Sequence, residues 1–159
     1  MPTLSFEEFC RARYPFIARA AYLVTGDRQE ALDVTQEAFV RAYERWDNVM
    51  VMENPDGWLY RVAINLATSS RRRAVRRWRS TRSSDVPEPE AADPRLGSAL
   101  QALTPAQRNA VVCRYFLDLS IEETARVLDK RPGTIRALTS QATSRLRASL
   151  GREFMEVNE

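Results

Sequence analysis

Three helix starts stand within the last third of this chain, each followed by apolar residues at a spacing of three to four. Thr104 precedes Pro105, with Gln107 three positions on; Ser120 is followed by Glu123; Pro132 opens the final stretch. Side chains that cap a helix N-terminus, and a proline whose missing N–H costs nothing there, place these starts before any packing is considered. Val111, Val112, Tyr115 and Phe116 are expected to supply the core of the first helix. Ile121, Ala125 and Leu128 face inward on the second, and Ile135, Leu138, Ala142, Leu146 and Leu150 on the third. The turns Leu119-Ser120 and Asp129-Lys130-Arg131 between them are short. Such a segment folds as a helix-turn-helix, the form in which a terminal helix enters a DNA groove.

The rest of the chain is also helical in pattern. Ser5 and Glu8 form a capping box. Pro15 interrupts that helix or starts the next turn, and Gly26 stops the stretch Phe16–Thr25. Asp27 with Glu30 opens a long helix to about Trp46, with Ala31, Thr35, Ala38 and Ala42 as its stripe and Leu32, Phe39, Tyr43 and Trp46 alongside. A loop follows, containing Val49, Met50, Val51 and Met52 as four exposed-looking apolar residues. Asn54 then caps a helix that starts at Pro55 and runs to about Trp78, with Leu59, Val62, Ala63 and Leu66 as its core stripe. No strand-like alternation occurs anywhere. The expected fold is all-α, with two small helical domains at 1–79 and 96–152. A flexible Pro-, Ser- and acid-rich linker at 80–95 joins them, and a short tail covers 153–159.

Composition removes several function classes. The 159 residues include no histidine, five glycines and no GxGxxG, GKS/GKT or GxSxG pattern. Histidine-based catalysis, most transition-metal sites and phosphate-cradling loops are therefore disfavoured. No catalytic residue, metal ligand or cofactor is expected. Cys10 and Cys113 lie far apart and read as reduced structural thiols. No run approaches a membrane span and the N-terminus lacks signal-peptide character, so a cytoplasmic location is expected.

The net charge of +3 is strongly segregated. Residues 1–70 sum to −3, residues 71–82 to +7, residues 83–95 to −3 and the remainder to +2. A basic band between acidic stretches suits nucleic acid, while the acids suit other partners. The band lies at a helix C-terminus, where cations are favoured in any case; Trp78 within it favours a nucleic-acid surface. On the last helix, Thr134, Arg136, Ser140, Gln141, Arg145 and Arg147 form an outer face with no acid before Glu153. Arg136, Ser140 and Gln141 can reach base edges, and the other arginines suit phosphate. A helical packing unit that binds no DNA is the plainer alternative. Asn65 and Ser69 are either surface polar residues or the polar edge of a pocket for an unstacked base. The face bearing Asp33, Gln36, Glu37 and Arg41 is either solvated or a dock for a partner helix.

Together these segments resemble the extracytoplasmic-function (group IV) sigma factors of bacterial RNA polymerase, which keep only regions 2 and 4, and in particular the actinobacterial sigma-E subfamily. PDGWLYRVAINLATSSRRR is similar to the promoter-melting helix of region 2, and PGTIRALTSQATSRLR to the end of region 4. The resemblance spans about residues 5–150. It implies docking of Asp33, Gln36, Glu37 and Arg41, a DxxQExxxR pattern, on the β′ clamp helices of core polymerase. It implies −10 contacts from Asn48, Asn54, Arg61, Asn65, Ser69, Arg72, Arg73 and Arg76, with the 48–54 loop capturing a flipped base. It implies −35 contacts from Thr134, Arg136, Ala137, Ser140, Gln141 and Arg145, and a meeting of the 105–128 block with the β flap. Promoter DNA and an anti-sigma factor complete the implied partners. Two departures stand out: Arg131 holds the N-cap position where many relatives carry a small residue, and Leu138 and Gln141 make the last helix less basic. The competing reading is a helix-turn-helix regulator that never binds polymerase, for which the DxxQE face and the melting loop would have no use.

Overall fold

In the computed structural model, residues 4–78 and 94–151 are described, with side chains over 4–73 and 95–151. Residues 80–93 of the expected linker at 80–95, Arg152 and the tail at 153–159 lie outside the described residues. The elements are α1 (Phe6–Thr25), α2 (Arg28–Glu44), α3 (Trp46–Val49), α4 (Pro55–Trp78), α5 (Pro94–Ala102), α6 (Pro105–Val111), α7 (Ile121–Leu128) and α8 (Pro132–Leu150), with a π-helical turn at Val112–Phe116 between α6 and α7. They divide into two compact units, Met1–Val86 and Pro87–Glu159.

In the first unit α1, α2 and α4 pack on one another. The capping box at Ser5 forms in both directions, and Asp27 accepts the Glu30 N–H at 2.9 Å to start α2. Pro15 does not interrupt α1, which runs through it. Pro15 and Arg11 are both exposed, so the carbonyl that loses its partner can be satisfied by solvent. Gly26, at φ 72°, ends the helix in the left-handed conformation. Phe9, Ile17, Ala38, Phe39, Ala42, Val49, Leu59 and Ala63 form the core, with Phe9 against Trp46 at 5.2 Å and Tyr14 stacked on Phe39 at 5.6 Å. Buried Ser70 donates to the Glu30 carboxylate and ties α4 to α2.

Two expectations for this unit are corrected. The α2 helix ends at Glu44, and a separate short helix carries Trp46 into the aromatic cluster of Phe6 and Phe9. Val49 consequently points inward and is fully buried, and Met52 packs on the core; only Met50 and Val51 of the four apolar loop residues are exposed. The inward stripe of α4 is also rotated. It comprises Leu59, Ala63, Ile64, Ala67 and Ser70, whereas Val62 and Leu66 lie at its margin, half-buried.

In the second unit α8 packs against α5, α6 and α7. The Thr104–Gln107 capping box forms in both directions, and Ser120 accepts the Glu123 N–H. Helix α5 begins at Pro94, two residues before the expected start of the second domain at Leu96. It is held by Arg108, whose side chain is 1% exposed and donates to the carbonyls of Leu100, Gln101 and Leu103 at the C-terminal end of α5. A cation is favoured at the carbonyl end of a helix; the Leu100 carbonyl also accepts from the Leu103 N–H at 3.2 Å. The π-helical turn shifts the register after α6, so Tyr115 is exposed rather than part of the core. On α7 the buried residues are Thr124, Ala125 and Val127, with Ile121 and Leu128 half-buried.

Candidate nucleic-acid interface

Helix α4 projects residues three and four apart onto one flank. There Trp58, Arg61, Val62, Asn65, Leu66, Ser69 and Arg73, together with Arg41 from α2, line an open groove of about 540 Å³. Val62 and Leu66 give it apolar surface, while Asn65, Ser69 and three arginines give it hydrogen-bonding and cationic edges. That combination suits a planar heteroaromatic ring attached to an anionic backbone. Four of the expected −10 residues, Arg61, Asn65, Ser69 and Arg73, meet here. Asn48, Asn54 and Arg72 are exposed and stand outside the described lining. Asn54 serves as the N-cap of α4, accepting the Gly57 N–H at 3.0 Å. A Cβ at Gly57 would stand 2.5 Å from the Asn54 amide nitrogen, so a glycine is needed for that close approach. Arg76 lies on α4, but its side chain falls outside the described residues. Half-buried Arg71 has its pKa pushed down by desolvation.

The sequence had placed Val62 and Leu66 in the core and passed over Trp58. The available signal was their i, i+4 spacing beside Asn65 and Ser69, which makes a mixed flank rather than a purely apolar one.

On α2, Asp33, Gln36, Glu37 and Arg41 are all exposed on one side. Gln29 donates to Asp33 at 2.9 Å, and Arg41 donates to Glu37 at 3.1 Å. Val40 and Tyr43 are 48% and 67% exposed beside them, an apolar element that the sequence reading missed. Charged groups around exposed apolar side chains suit the docking of a protein partner. Arg41 belongs both to this face and to the groove.

In the second unit, Ile135, Ala142 and Leu146 anchor α8, leaving Thr134, Arg136, Ala137, Ser140, Gln141 and Arg145 exposed. Arg131 occupies the N-cap position without a side-chain cap bond. Arg136 is 4.0 Å from Glu122 of α7. Gln107, which is 7% exposed on α6, donates to Gln141 and accepts from Arg145, both at 3.3 Å. Nothing in the sequence marked Gln107 beyond its capping role. Among the described residues there is no cluster of His, Cys, Asp and Glu able to hold a metal ion, and no helix long and apolar enough to cross a membrane.

The sequence profile of Sigma-70 region 2 matches residues 9–79, and that of Sigma-70, region 4 matches residues 94–146. The RNA polymerase sigma-E factor of Streptomyces avermitilis is 32% identical, over 92% of this chain and 86% of its own. The ECF RNA polymerase sigma factor SigE of Mycolicibacterium smegmatis is 32% identical over 96% of this chain and 64% of its own.

The chain belongs to the extracytoplasmic-function sigma factors.

The sigma-E factors of Streptomyces are among its relatives, and its function is that of a sigma factor in transcription initiation. Sigma factors are regulators of transcription. The solved structure of the Bartonella quintana sigma factor RpoE, in complex with the anti-sigma factor NepR, shares the fold of this sigma factor. Its TM-score is 0.77 at 21% identity, over 92% of this chain and 98% of that one. The extracytoplasmic-function sigma factor SigJ of Mycobacterium tuberculosis is similar with a TM-score of 0.61 at 26% identity, over 90% of this chain and 53% of that one.

Proposed function

We propose that the two units divide promoter recognition between them. The first, taken as residues 1–79, docks on the β′ clamp helices of core RNA polymerase through Asp33, Gln36, Glu37 and Arg41, with Val40 and Tyr43 adding apolar contact. Its α4 groove holds an unstacked −10 base against Trp58, Val62 and Leu66, while Asn65 and Ser69 address the base edges. Arg61, Arg72, Arg73 and Arg76 address the backbone, and Asn48 and Asn54 the approach to it. The second unit, taken as 96–152 after a linker at 80–95, presents α8 to the −35 duplex, and the 105–128 block meets the β flap. The observation that carries this reading is the mixed apolar and polar groove on α4, directly beside the docking face. The mechanism is binding alone: captured bases offset an unpairing cost of a few kcal/mol, and the chain performs no catalysis of its own. The fold shared with a sigma factor solved with its anti-sigma factor supports an anti-sigma partner here. A cytoplasmic location follows from work on chromosomal promoters.

The test is binding of the purified chain to core RNA polymerase beside Asp33→Arg and Gln36→Ala variants. Tight binding weakened at least about tenfold by Asp33→Arg is expected for a charge reversed within a docked face. Full-strength binding by Asp33→Arg would remove the docking assignment.

A further inference from the structure

Gln107 of α6 is hydrogen-bonded to the exposed Gln141 of α8. An amide oxygen and nitrogen are nearly alike in shape, so the orientation of a glutamine is decided by partners that can only donate or only accept. Gln107 has two such partners. The backbone N–H of Thr104 lies 3.2 Å from its Oε1, and a guanidinium nitrogen of Arg145 lies 3.3 Å from the same oxygen. Both groups can only donate, so this end of Gln107 is the oxygen. Its Nε2 must then be the donor facing Gln141, and it stands 3.3 Å from the Gln141 oxygen. With that oxygen engaged, exposed Gln141 turns its NH₂ outward.

We infer that Gln141 reads the −35 duplex as a hydrogen-bond donor, and that Gln107 is the positioning residue that makes it one. This rests on the proposed −35 role of α8. A glutamine free to use both ends pairs bidentately with adenine N7 and N6. One whose oxygen is turned inward to accept from Gln107 presents its NH₂ to the DNA, and its remaining lone pair is turned away from the adenine N6 or cytosine N4 that needs an acceptor. It favours guanine, with two acceptors at O6 and N7, over adenine, with N7 alone, or thymine, with O4, over cytosine, which offers no acceptor.

The inference makes a reversible prediction. In Gln107→Glu, the carboxylate still accepts from Thr104 and Arg145 and still completes the capping box, for which glutamate is as suitable as glutamine. It cannot donate to Gln141. The Gln141 amide then turns its nitrogen inward and its oxygen toward the DNA. Guanine or thymine at the contacted position should give way to adenine or cytosine, by about 3- to 10-fold in relative occupancy, the discrimination of one hydrogen bond. Gln107→Met, which neither donates nor accepts in this way, should relax the preference without inverting it.

The experiment is selection of a randomised duplex promoter library by holoenzyme reconstituted from the full chain and core RNA polymerase. It is run with the wild type, Gln107→Glu, Gln107→Met and Gln141→Ala, with helical circular dichroism of each variant as the folding control. The expected result is one position enriched in guanine or thymine, erased by Gln141→Ala, inverted by Gln107→Glu and relaxed by Gln107→Met. If Gln141→Ala alters no position, the −35 role of Gln141 fails and takes this inference with it. If Gln141→Ala erases a position that folded Gln107→Glu and Gln107→Met leave unchanged, the inference alone is overturned.

Discussion

The α4 groove and the α8 face are built on opposite plans. The groove is a volume between residues of α2 and α4, with apolar surface inside and polar groups at its edges. The α8 face is a single convex helix surface on which Gln141 and Arg145 are hydrogen-bonded from behind by Gln107, while the exposed Arg136 lies 4.0 Å from Glu122. A base taken out of its stack needs apolar surface to replace the stacking it loses, so a pocket suits it. A base still paired in a duplex offers only an edge, so discrimination rests on which end of a side chain is presented and how firmly. Under the proposed function, one chain thus carries one surface suited to melted DNA and another suited to intact duplex.

The largest effect that would break this contrast falls on the interior of the second unit. Replacing Arg108 by Met removes the guanidinium donor from the carbonyls of Leu100, Gln101 and Leu103, at a cost of about 3 kcal/mol. Hydrogen exchange under denaturant should show lowered protection in α5, α6 and α8, with α1, α2 and α4 unchanged. Lowered protection in both sets would mean that the two units do not stand independently.

Next in size is a pH effect confined to the same unit. Burial pushes the Cys113 thiol up to about 12 from 9.0. The folded state therefore holds its proton more tightly than the unfolded state. The stabilising contribution is complete below pH 9 and is lost as pH rises toward 12. At pH ~10.5 the loss is about 2 kcal/mol relative to a Cys113→Ala variant, whose own pH profile lacks this component. Denaturation curves of the pair across this range measure it, and parallel profiles would show that the thiol does not titrate on unfolding.

Smaller effects belong to the groove. Asn65→Ala with Ser69→Ala should lower affinity for a single-stranded −10 oligonucleotide about tenfold in the holoenzyme, with −35 duplex affinity unchanged. Arg73→Ala should weaken DNA binding by less than that. It should reduce the slope of log affinity against log salt by about 0.7 on the single strand, the signature of one phosphate contact. A sequence-dependent loss without a change in salt slope would make Arg73 a base reader instead.

Most of the helices were legible in the sequence because their ends carry local chemistry. Ser5, Asp27, Asn54, Thr104 and Ser120 each accept the backbone N–H three positions on, as their residue types and spacing imply. What escaped was decided by packing between helices. Val49 looks exposed in a loop, but α3 turns it into the buried cluster that includes Leu59 and Phe9. Val62 and Leu66 fit a core stripe by spacing alone, yet the helix is rolled so that they border the groove. Tyr115 lies in a π-helical turn, which no periodicity of 3.6 anticipates. Gln107 looked like a cap and is one, but its second role depends on α8 lying across α6, which is not written in the residues beside it.

The division of labour between the two surfaces is tested most directly by comparing two DNA probes with the same holoenzymes. One probe carries only the −35 duplex; the other extends it with a single-stranded −10 segment. Asn65→Ala/Ser69→Ala should bind the first as the wild type does and lose about tenfold of the affinity that the single strand adds. Arg136→Ala/Arg145→Ala should weaken both probes by the same factor. Equal weakening of the duplex probe by both variants would contradict the account, since the groove would then be reading duplex rather than an unstacked base.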